Sequence, residues 1–464
     1  MTISSVTQNA HAQYKAAQAA FARGDFEEAI KLCALGLENI RRADPAEDAL
    51  HLQIIRLLLT ASEIQWRGQV MLLNGKLQVM QLYEEAEAIA LRTSNKTLLA
   101  LLAQIKLTKS VLLVATHSVP EAIEVMREAL DLAQSSGDVL TQYITMAGLG
   151  HHVVKIDLEQ GLRLISQAQE QYAQHMETAQ NYLSPDVIYR QSHVEVMAGI
   201  GEFDRGNYDS ALALLTQSRN RYKQQGIHSG LPSTLNYLAQ LYLASGLFEQ
   251  AEATLKEAIA LFDRAHNANP WNGNNLALLG KLYVEWERLD DAGEPLRRGW
   301  QETQATYNLD LISLVRNYYA EYLMHPHARE RDLGAAAQYL QLNLEETRAV
   351  GIHRSAIMAL SLLGQLSLMQ HHIDRALSYS IEAVEYLEKI GTMPALRTQE
   401  IFFNHSNVLK AANQSEEARR YLEKAYQVVQ GIARSITDEN RRQSFLKRVQ
   451  LNRAIEAHYT GYSA

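Results

Sequence analysis

Gly24-Asp-Phe-Glu-Glu-Ala-Ile-Lys-Leu32 decides the fold, because its order of residue types returns about every forty residues. It stands again at Gly206–Leu214 (GNYDSALAL), Gly246–Leu255 (GLFEQAEATL) and Arg288–Leu296 (RLDDAGEPL). Two more copies follow at His371–Tyr379 (HHIDRALSY) and Asn413–Tyr421 (NQSEEARRY). A turn residue, a gap, a bulky apolar residue, two polar residues and a small one mark where one helix ends and the next begins. Repetition at this period predicts a helical solenoid, in which each unit buries its apolar face only against its neighbours.

The small residue of the phrase serves as a marker for the second helix of each pair. It falls at Ala29, Ala86, Ala122, Gly161, Ala211, Ala251, Ala292, Ala336, Ala376 and Ala418. Ten units follow, with longer insertions near Arg67–Gln78 and Tyr172–Val187 and a lengthened turn at His325–Asp332. A second small residue often follows two helical turns on, as at Ala129, Ala168, Ala258, Ala383 and Ala425. Both then lie on one face and let helices approach closely. In the first helix a further small residue precedes the marker by twelve positions: Gly199, Ala239, Gly280, Gly364 and Ser406. Pro295 falls some turns into a helix by this register, where it removes a hydrogen bond.

Composition narrows the function classes. Of 464 residues, 47% are hydrophobic and 21% charged, which suits a folded chain. A formal charge of −8 leaves no basic footprint for nucleic acid. The single cysteine, Cys33, permits no intrachain disulfide. No signal peptide is visible at the N-terminus, and the apolar run Val111–Ala115 is too short to span a bilayer. No membrane association and a cytoplasmic location are therefore expected.

These repeats resemble the tetratricopeptide repeat (TPR) family over about residues 10–430, with a spacing nearer 40 than the family's usual 34. Repeats of this length resemble the C-terminal arrays of bacterial STAND-type regulators, and Arg442–Ile455 resembles their terminal helix. The resemblance implies an all-α, right-handed superhelical solenoid of about ten helix pairs. Residues 1–432 would form the array, and residues 433–464 a C-terminal capping helix and tail. The segment Arg434–Arg453 carries six basic residues and two acidic ones. Its apolar stripe of Phe445, Leu446, Val449 and Ile455 makes it a cap before it makes it a binding arm.

Signs of chemistry are few. Gly68 and Gly75–Lys76 have the wrong interval for a phosphate loop, and no G-x-S-x-G or H-E-x-x-H motif occurs. Cys33 occupies an apolar slot and reads as a buried thiol. Adjacent histidines, His151–His152 and His371–His372, point about 100° apart on a helix and do not share a metal readily. His371 stands at the turn position, a sufficient role for it. Neither catalysis, a metal nor a cofactor is expected.

In TPR arrays the first helices line the concave groove. Carried onto this chain, the ligand-facing positions are Asn236 and Gln240, Asn274 with Lys281 and Glu285, and Asn317 with Glu321. Ser361 and Gln365 follow, then Asn407 and Lys410. Side-chain amides recur there, and amides both donate to and accept from a peptide backbone; the competing reading is an ordinary solvated face. On the first reading, replacing Asn236, Asn317 and Asn407 should weaken a partner without lowering stability. The expected function is a non-catalytic scaffold or sensor in bacterial signalling that binds a peptide or protein segment in the groove. The alternative is a regulator whose superhelix changes conformation when it binds a small molecule or signalling peptide. Nothing in the repeat sets an oligomeric state.

Overall fold

The structure, a computed structural model, describes residues 5–43, 47–66, 79–92, 95–116, 118–174, 184–226, 230–263, 270–306, 308–391 and 397–463. Among these residues there are 22 helices and no strand. The insertion at Arg67–Gln78 lies outside the described residues, as do residues 175–183 of the second insertion.

The helices come in pairs. α1 (Ser5–Arg23) precedes α2 (Phe26–Ile40), α3 (Asp48–Trp66) precedes α4 (Val79–Ala90), and α5 (Lys96–Thr116) precedes α6 (Val119–Ser136). Then come α7 (Val139–Val153) with α8 (Leu158–Ala173), and α9 (Pro185–Asp204) with α10 (Tyr208–Gln224). The next pairs are α11 (Leu231–Ala244) with α12 (Phe248–Asp263), and α13 (Pro270–Glu285) with α14 (Leu289–Gln304). The last are α15 (Leu309–Met324) with α16 (Leu333–Val350), α17 (His353–Met369) with α18 (Ile373–Ile390), and α19 (Thr398–Ala411) with α20 (Ser415–Ser435). Two short helices, α21 (Glu439–Lys447) and α22 (Gln450–Ser463), close the chain. All ten marker residues fall in the second helix of their pair.

The repeated phrase works through one backbone device. Five residues before the marker, Gly24, Gly206, Gly246, Glu287, His371 and Asn413 all take positive φ, from 59° to 83°. At each, the amide of the next residue bonds the carbonyl five residues back, as in Asp25 to Ala20 (3.0 Å) and His372 to Ser367 (2.9 Å). This left-handed cap satisfies carbonyls that the helix end leaves open. Glycine adopts it without strain, and His371 and Glu287 adopt it because the surrounding pair fixes the turn.

Small residues then set the distance between paired helices. A Cβ on Gly280 would fall 2.4 Å from Leu296 Cγ and 2.9 Å from the Ala292 carbonyl oxygen, so only glycine fits there. At the equivalent place in the last pair, Ser406 Oγ donates to the Ala418 carbonyl at 2.7 Å. The markers Ala251, Ala292, Ala336 and Ala376 are fully buried. Nothing in the packing explains Pro295, which is buried inside α14.

The stack coils until distant pairs meet. α9 touches α1 and α3, α15 touches α5, and α20 touches α10. Arg56 of α3 pairs with Asp186 of α9 at 2.7 Å, and Arg190 of α9 pairs with Glu63 of α3, all four side chains being buried. Residues beyond α20 fold back over the turns of the middle repeats. Phe445 is buried edge-on to Tyr208, Ser444 Oγ donates to the Gly246 carbonyl at 2.9 Å, and Arg448 grips Glu249. Arg441 meets Asp209 at 3.1 Å, so the basic tail is largely spent within the chain. By length and composition Lys96–Val114 of α5 is apolar enough to cross a membrane, but most of it is buried inside the solenoid. The chain is thus an all-α superhelical solenoid of ten helix pairs with C-terminal helices packed across it.

Candidate functional site

The inner face of the superhelix is lined by first helices and the turn residues that flank them. Two cavities open along it and meet at Gln240. One is lined from α9, α11, α13, α15, α17 and α19, with Lys281, Tyr318, Ser361, Arg397, Glu400 and Asn404 among its walls. The other is lined from α3, α5, α7, α9, α11, α13, α15 and α17. It lies at the seam where the two turns of the superhelix face each other.

The first cavity holds a charge network. Lys281 bridges Glu285 (2.9 Å) and Glu321, and Arg397 bridges Glu285 (2.9 Å) and Glu400 (2.8 Å). Burial works against the Lys281 ammonium, but Glu285 and Glu321 outweigh it and hold it charged, above its ordinary value. Burial likewise opposes ionisation of Glu285, yet Arg397 and Lys281 hold its carboxyl well below the usual range. Glu321 goes the other way: burial, helped by Glu400 and Glu285, pushes it up despite Lys281. Two cations here face three carboxylates.

The seam cavity combines apolar walls (Leu107, Val111, Val114, Leu311, Leu314, Trp271) with polar groups from both turns. Asp310 is shared by Lys155 at 3.8 Å and Arg354 at 3.6 Å. Asn236 donates to the side-chain oxygens of Asn274 and Asn275, both at 2.8 Å, and accepts from Gln240 at 2.7 Å.

Five of the sequence-predicted positions line these cavities: Asn236, Gln240, Asn274, Lys281 and Ser361. Glu285 and Glu321 stand behind the first cavity in its charge network. Asn317 is fully buried, donating to the Ser355 carbonyl at 3.1 Å and accepting from Asn343 at 2.8 Å. Gln365 donates to the Asn404 carbonyl at 3.1 Å. Gln365, Asn407 and Lys410 line neither cavity; Asn407 is half-buried and Lys410 exposed. The expectation that Asn236 and Asn317 can be removed without loss of stability does not survive their burial. Each satisfies buried partners, and truncation would leave those unpaired.

The sequence reading passed over Lys155, Trp271, Asn308, Asp310, Arg354 and Arg397. Asn308 carried a signal of its own, an asparagine opening an apolar helix, and its side chain caps α15 by accepting from Leu311 N at 3.3 Å. The others sit beside turns or come from another turn of the superhelix, where repeat register assigns no role.

Two serine–histidine contacts bring a hydroxyl and an imidazole within hydrogen-bond distance. Ser110 Oγ lies 2.9 Å from His152 Nε2, and Ser380 Oγ lies 2.9 Å from His405 Nδ1. Both are buried, and burial drives His152 down to about 3 and His405 to about 4, making each a poor base. Ser110 and Ser380 also donate to their own helix carbonyls. Cys33 is buried, which pushes its thiol up. Among the described residues no group of three or more His, Cys, Asp or Glu is placed to hold a metal ion.

Residues 194–264 and 230–299 match the tetratricopeptide repeat family model. With ten such pairs stacked in register, the chain is a helical-repeat solenoid similar to tetratricopeptide-repeat arrays. Among solved structures it is similar to a Rap protein crystallised with Competence and Sporulation Factor. That likeness has 13% identity, covers 82% of this chain and 99% of that protein, and has a TM-score of 0.57. It also resembles aspartyl phosphate phosphatase F from Bacillus subtilis at 12% identity, covering 84% of this chain and 97% of that one, with a TM-score of 0.47. The apo quorum sensor NprR from B. thuringiensis matches at 9% identity, covering 82% and 99%, with a TM-score of 0.47. No curated protein matches the chain.

Proposed function

We propose that this chain is a non-catalytic receptor or scaffold that encloses a peptide or an extended protein segment inside its superhelix, in bacterial signalling. The observation that carries this reading is the pair of cavities that share Gln240, walled by first helices and the turn residues beside them and offering apolar surface beside fixed polar groups. A long inner surface of this kind suits an extended ligand whose backbone needs hydrogen-bond partners once desolvated. The Rap protein that shares the fold was crystallised with Competence and Sporulation Factor, which agrees with a sensing role. On this reading the protein works in the cytoplasm, has no reaction to catalyse and passes its signal to a partner.

The seam cavity also favours the alternative, a regulator that changes superhelical conformation. Its walls belong to two turns of the superhelix, so a ligand there touches both at once. The test is native purification of the full chain, acid release and mass spectrometry of what is released. A discrete peptide should come from the unaltered protein and be lost from Gln240→Leu, since Gln240 lines both cavities. Release of nothing, or of the same material from both proteins, sinks the reading.

A further inference from the structure

A third cavity, of about 280 Å³, lies where the fifth helix pair meets the tenth, one turn of the superhelix further on. The two inner-face cavities hold about 70 and 80 Å³. Its walls come from the α9–α10 turn, the start of α19 and the last turns of α20. It shares Phe203 and Arg397 with the first inner-face cavity, but the second helices α10 and α20 supply Tyr208, Val428, Gly431 and Ile432. None of the concave-face positions read from the repeats borders it.

Polar groups at the α19 end are left open. Gln399 is 4% exposed and lines the cavity, and its side-chain amide makes no hydrogen bond among the described residues. Beside it Thr398 Oγ1 is buried without a hydrogen-bond partner among those residues. The N-terminus of α19, a helix of 14 residues, has no side-chain cap. Buried polar groups are normally paired, so three open ones on a single cavity mark contacts that a molecule from outside the chain would make. On the α20 side, a Cβ added to Gly431 would meet nothing within 4 Å. Glycine inside a helix is less stable than alanine, and no neighbour demands it here. The bare backbone leaves the cavity open on that side.

Charge selects the class of molecule. Arg397 is taken up by Glu285 and Glu400, and Arg205 by Glu159 (2.6 Å) and Glu202 (3.2 Å). Asp204, the acidic group of the wall, is engaged within the chain and acts on Tyr208 and Arg354. The two cations are outnumbered by carboxylates, which disfavours an anion. The positive end of the α19 dipole disfavours a cation. An uncharged molecule with a strong dipole suits both, its carbonyl toward the α19 amides and its N–H toward Gln399 Oε1 or Thr398 Oγ1. Phe203, Val428 and Ile432 give it an apolar wall.

We propose that the cavity between pairs five and ten binds a small uncharged molecule through an amide edge, such as benzamide, a cyclic lactam or a neutral nucleobase presents. The volume is close to the lower end of ordinary small-molecule sites, about 300 Å³. Gln399, Thr398 and the first turn of α19 read the edge, and the α20 wall beside Gly431 takes the apolar body. The site stands whether or not a peptide enters the inner face.

The experiment is saturation-transfer NMR on the full chain with three probes of similar shape: benzamide, benzoate and benzylammonium. Benzamide should give the strongest signal, with each charged probe at least about fivefold weaker. An equal or stronger signal from either charged probe overturns the uncharged class, and silence from all three overturns the site. Gly431→Met puts a side chain into the cavity, and Gln399→Leu removes the open amide. Each should cut the benzamide signal by about fivefold or more, with circular dichroism melts as the check on the fold. A folded Gly431→Met that binds benzamide as before overturns the location. Loss of the signal in Gln240→Leu but in neither of these variants places benzamide on the inner face and also overturns it. Because the Gln399 amide is open, Gln399→Leu should melt no lower than the unaltered protein; a lower melt shows the amide spent within the fold and overturns its role. If Gly431→Met does not fold, Gln399→Leu decides alone, and an unchanged benzamide signal there overturns the inference.

Discussion

Where the two helices of a pair meet, small residues make the close contact; where one turn of the superhelix meets the next, ion pairs cross between helices far apart in sequence. Within the stack, Gly280 lies against Ala292 and Leu296, and Ser406 against the Ala418 carbonyl. Across the turns, Arg56 meets Asp186, Arg190 meets Glu63, Arg397 meets Glu285 and Arg448 meets Glu249. Small-residue contacts are non-directional, so one solution can be reused in every pair. An ion pair has one partner in one geometry, which makes it suited to fixing how far the coil closes. The array uses the repeatable contact for length and the particular contact for shape.

The largest test of that division is Arg56→Leu. Burial opposes the Arg56 charge, but Asp186 outweighs it and holds the guanidinium above its ordinary value. Asp186, 1% exposed, would lose its cation. Removing one partner of such a pair costs about 3–5 kcal/mol, whereas replacing both by apolar residues restores much of it. Urea denaturation should therefore rank Arg56→Leu below the double variant Arg56→Leu, Asp186→Leu. If the single and double variants were equally unstable, the charges would not be what matters at this seam.

A smaller effect is expected inside the stack. Ala251 and Ala376 are fully buried between paired helices, so Ala251→Leu or Ala376→Leu overpacks one interface at a cost of about 1–3 kcal/mol. Because the array is quasi-one-dimensional, the loss should stay local. Hydrogen exchange ought to quicken in the altered pair and its neighbours. Uniform quickening across all ten pairs would mean that the seams make the whole array one cooperative unit.

The same division explains what was legible in the sequence. The marker residues, the left-handed turn at His371 and the glycine at 280 all act on residues at most sixteen positions away, so a repeating phrase records them. The partner of Arg56 lies 130 residues on and that of Arg448 199 residues back, and no periodicity records those. The inner face was readable by the same rule. Asn236, Gln240, Asn274, Lys281 and Ser361 follow from repeat register and do line the cavities. What register could not tell was which of them are spent. Asn317 and Asn236 look like a free amide row in one dimension, but each is occupied by neighbours from adjacent helices. Lys155, Asp310 and Arg354 come together only because the coil closes.

The smallest expected effect is the most discriminating. Arg448 and Glu249 join the folded-back C-terminal segment to the α11–α12 turn by two hydrogen bonds, at 3.0 and 2.9 Å, a geometry as good as that of Arg56 and Asp186. Those hydrogen bonds hold the Glu249 carboxyl below its ordinary value. The side chains are nevertheless 39% and 58% exposed, against 8% and 1% for the α3–α9 pair. Water screens the first pair and is excluded from the second, so identical chemistry should differ several-fold in consequence. Arg448→Ala should cost only about 0.2–1 kcal/mol, and roughly 1 M salt should remove most of that difference from the unaltered protein. Phe445, buried on Tyr208 beside it, keeps the segment docked by apolar contact. A loss above about 2 kcal/mol, or one indifferent to salt, would show that this outer pair fixes the coil as the buried ones do. The line between structural and incidental ion pairs would then follow position across the turn and not access of water.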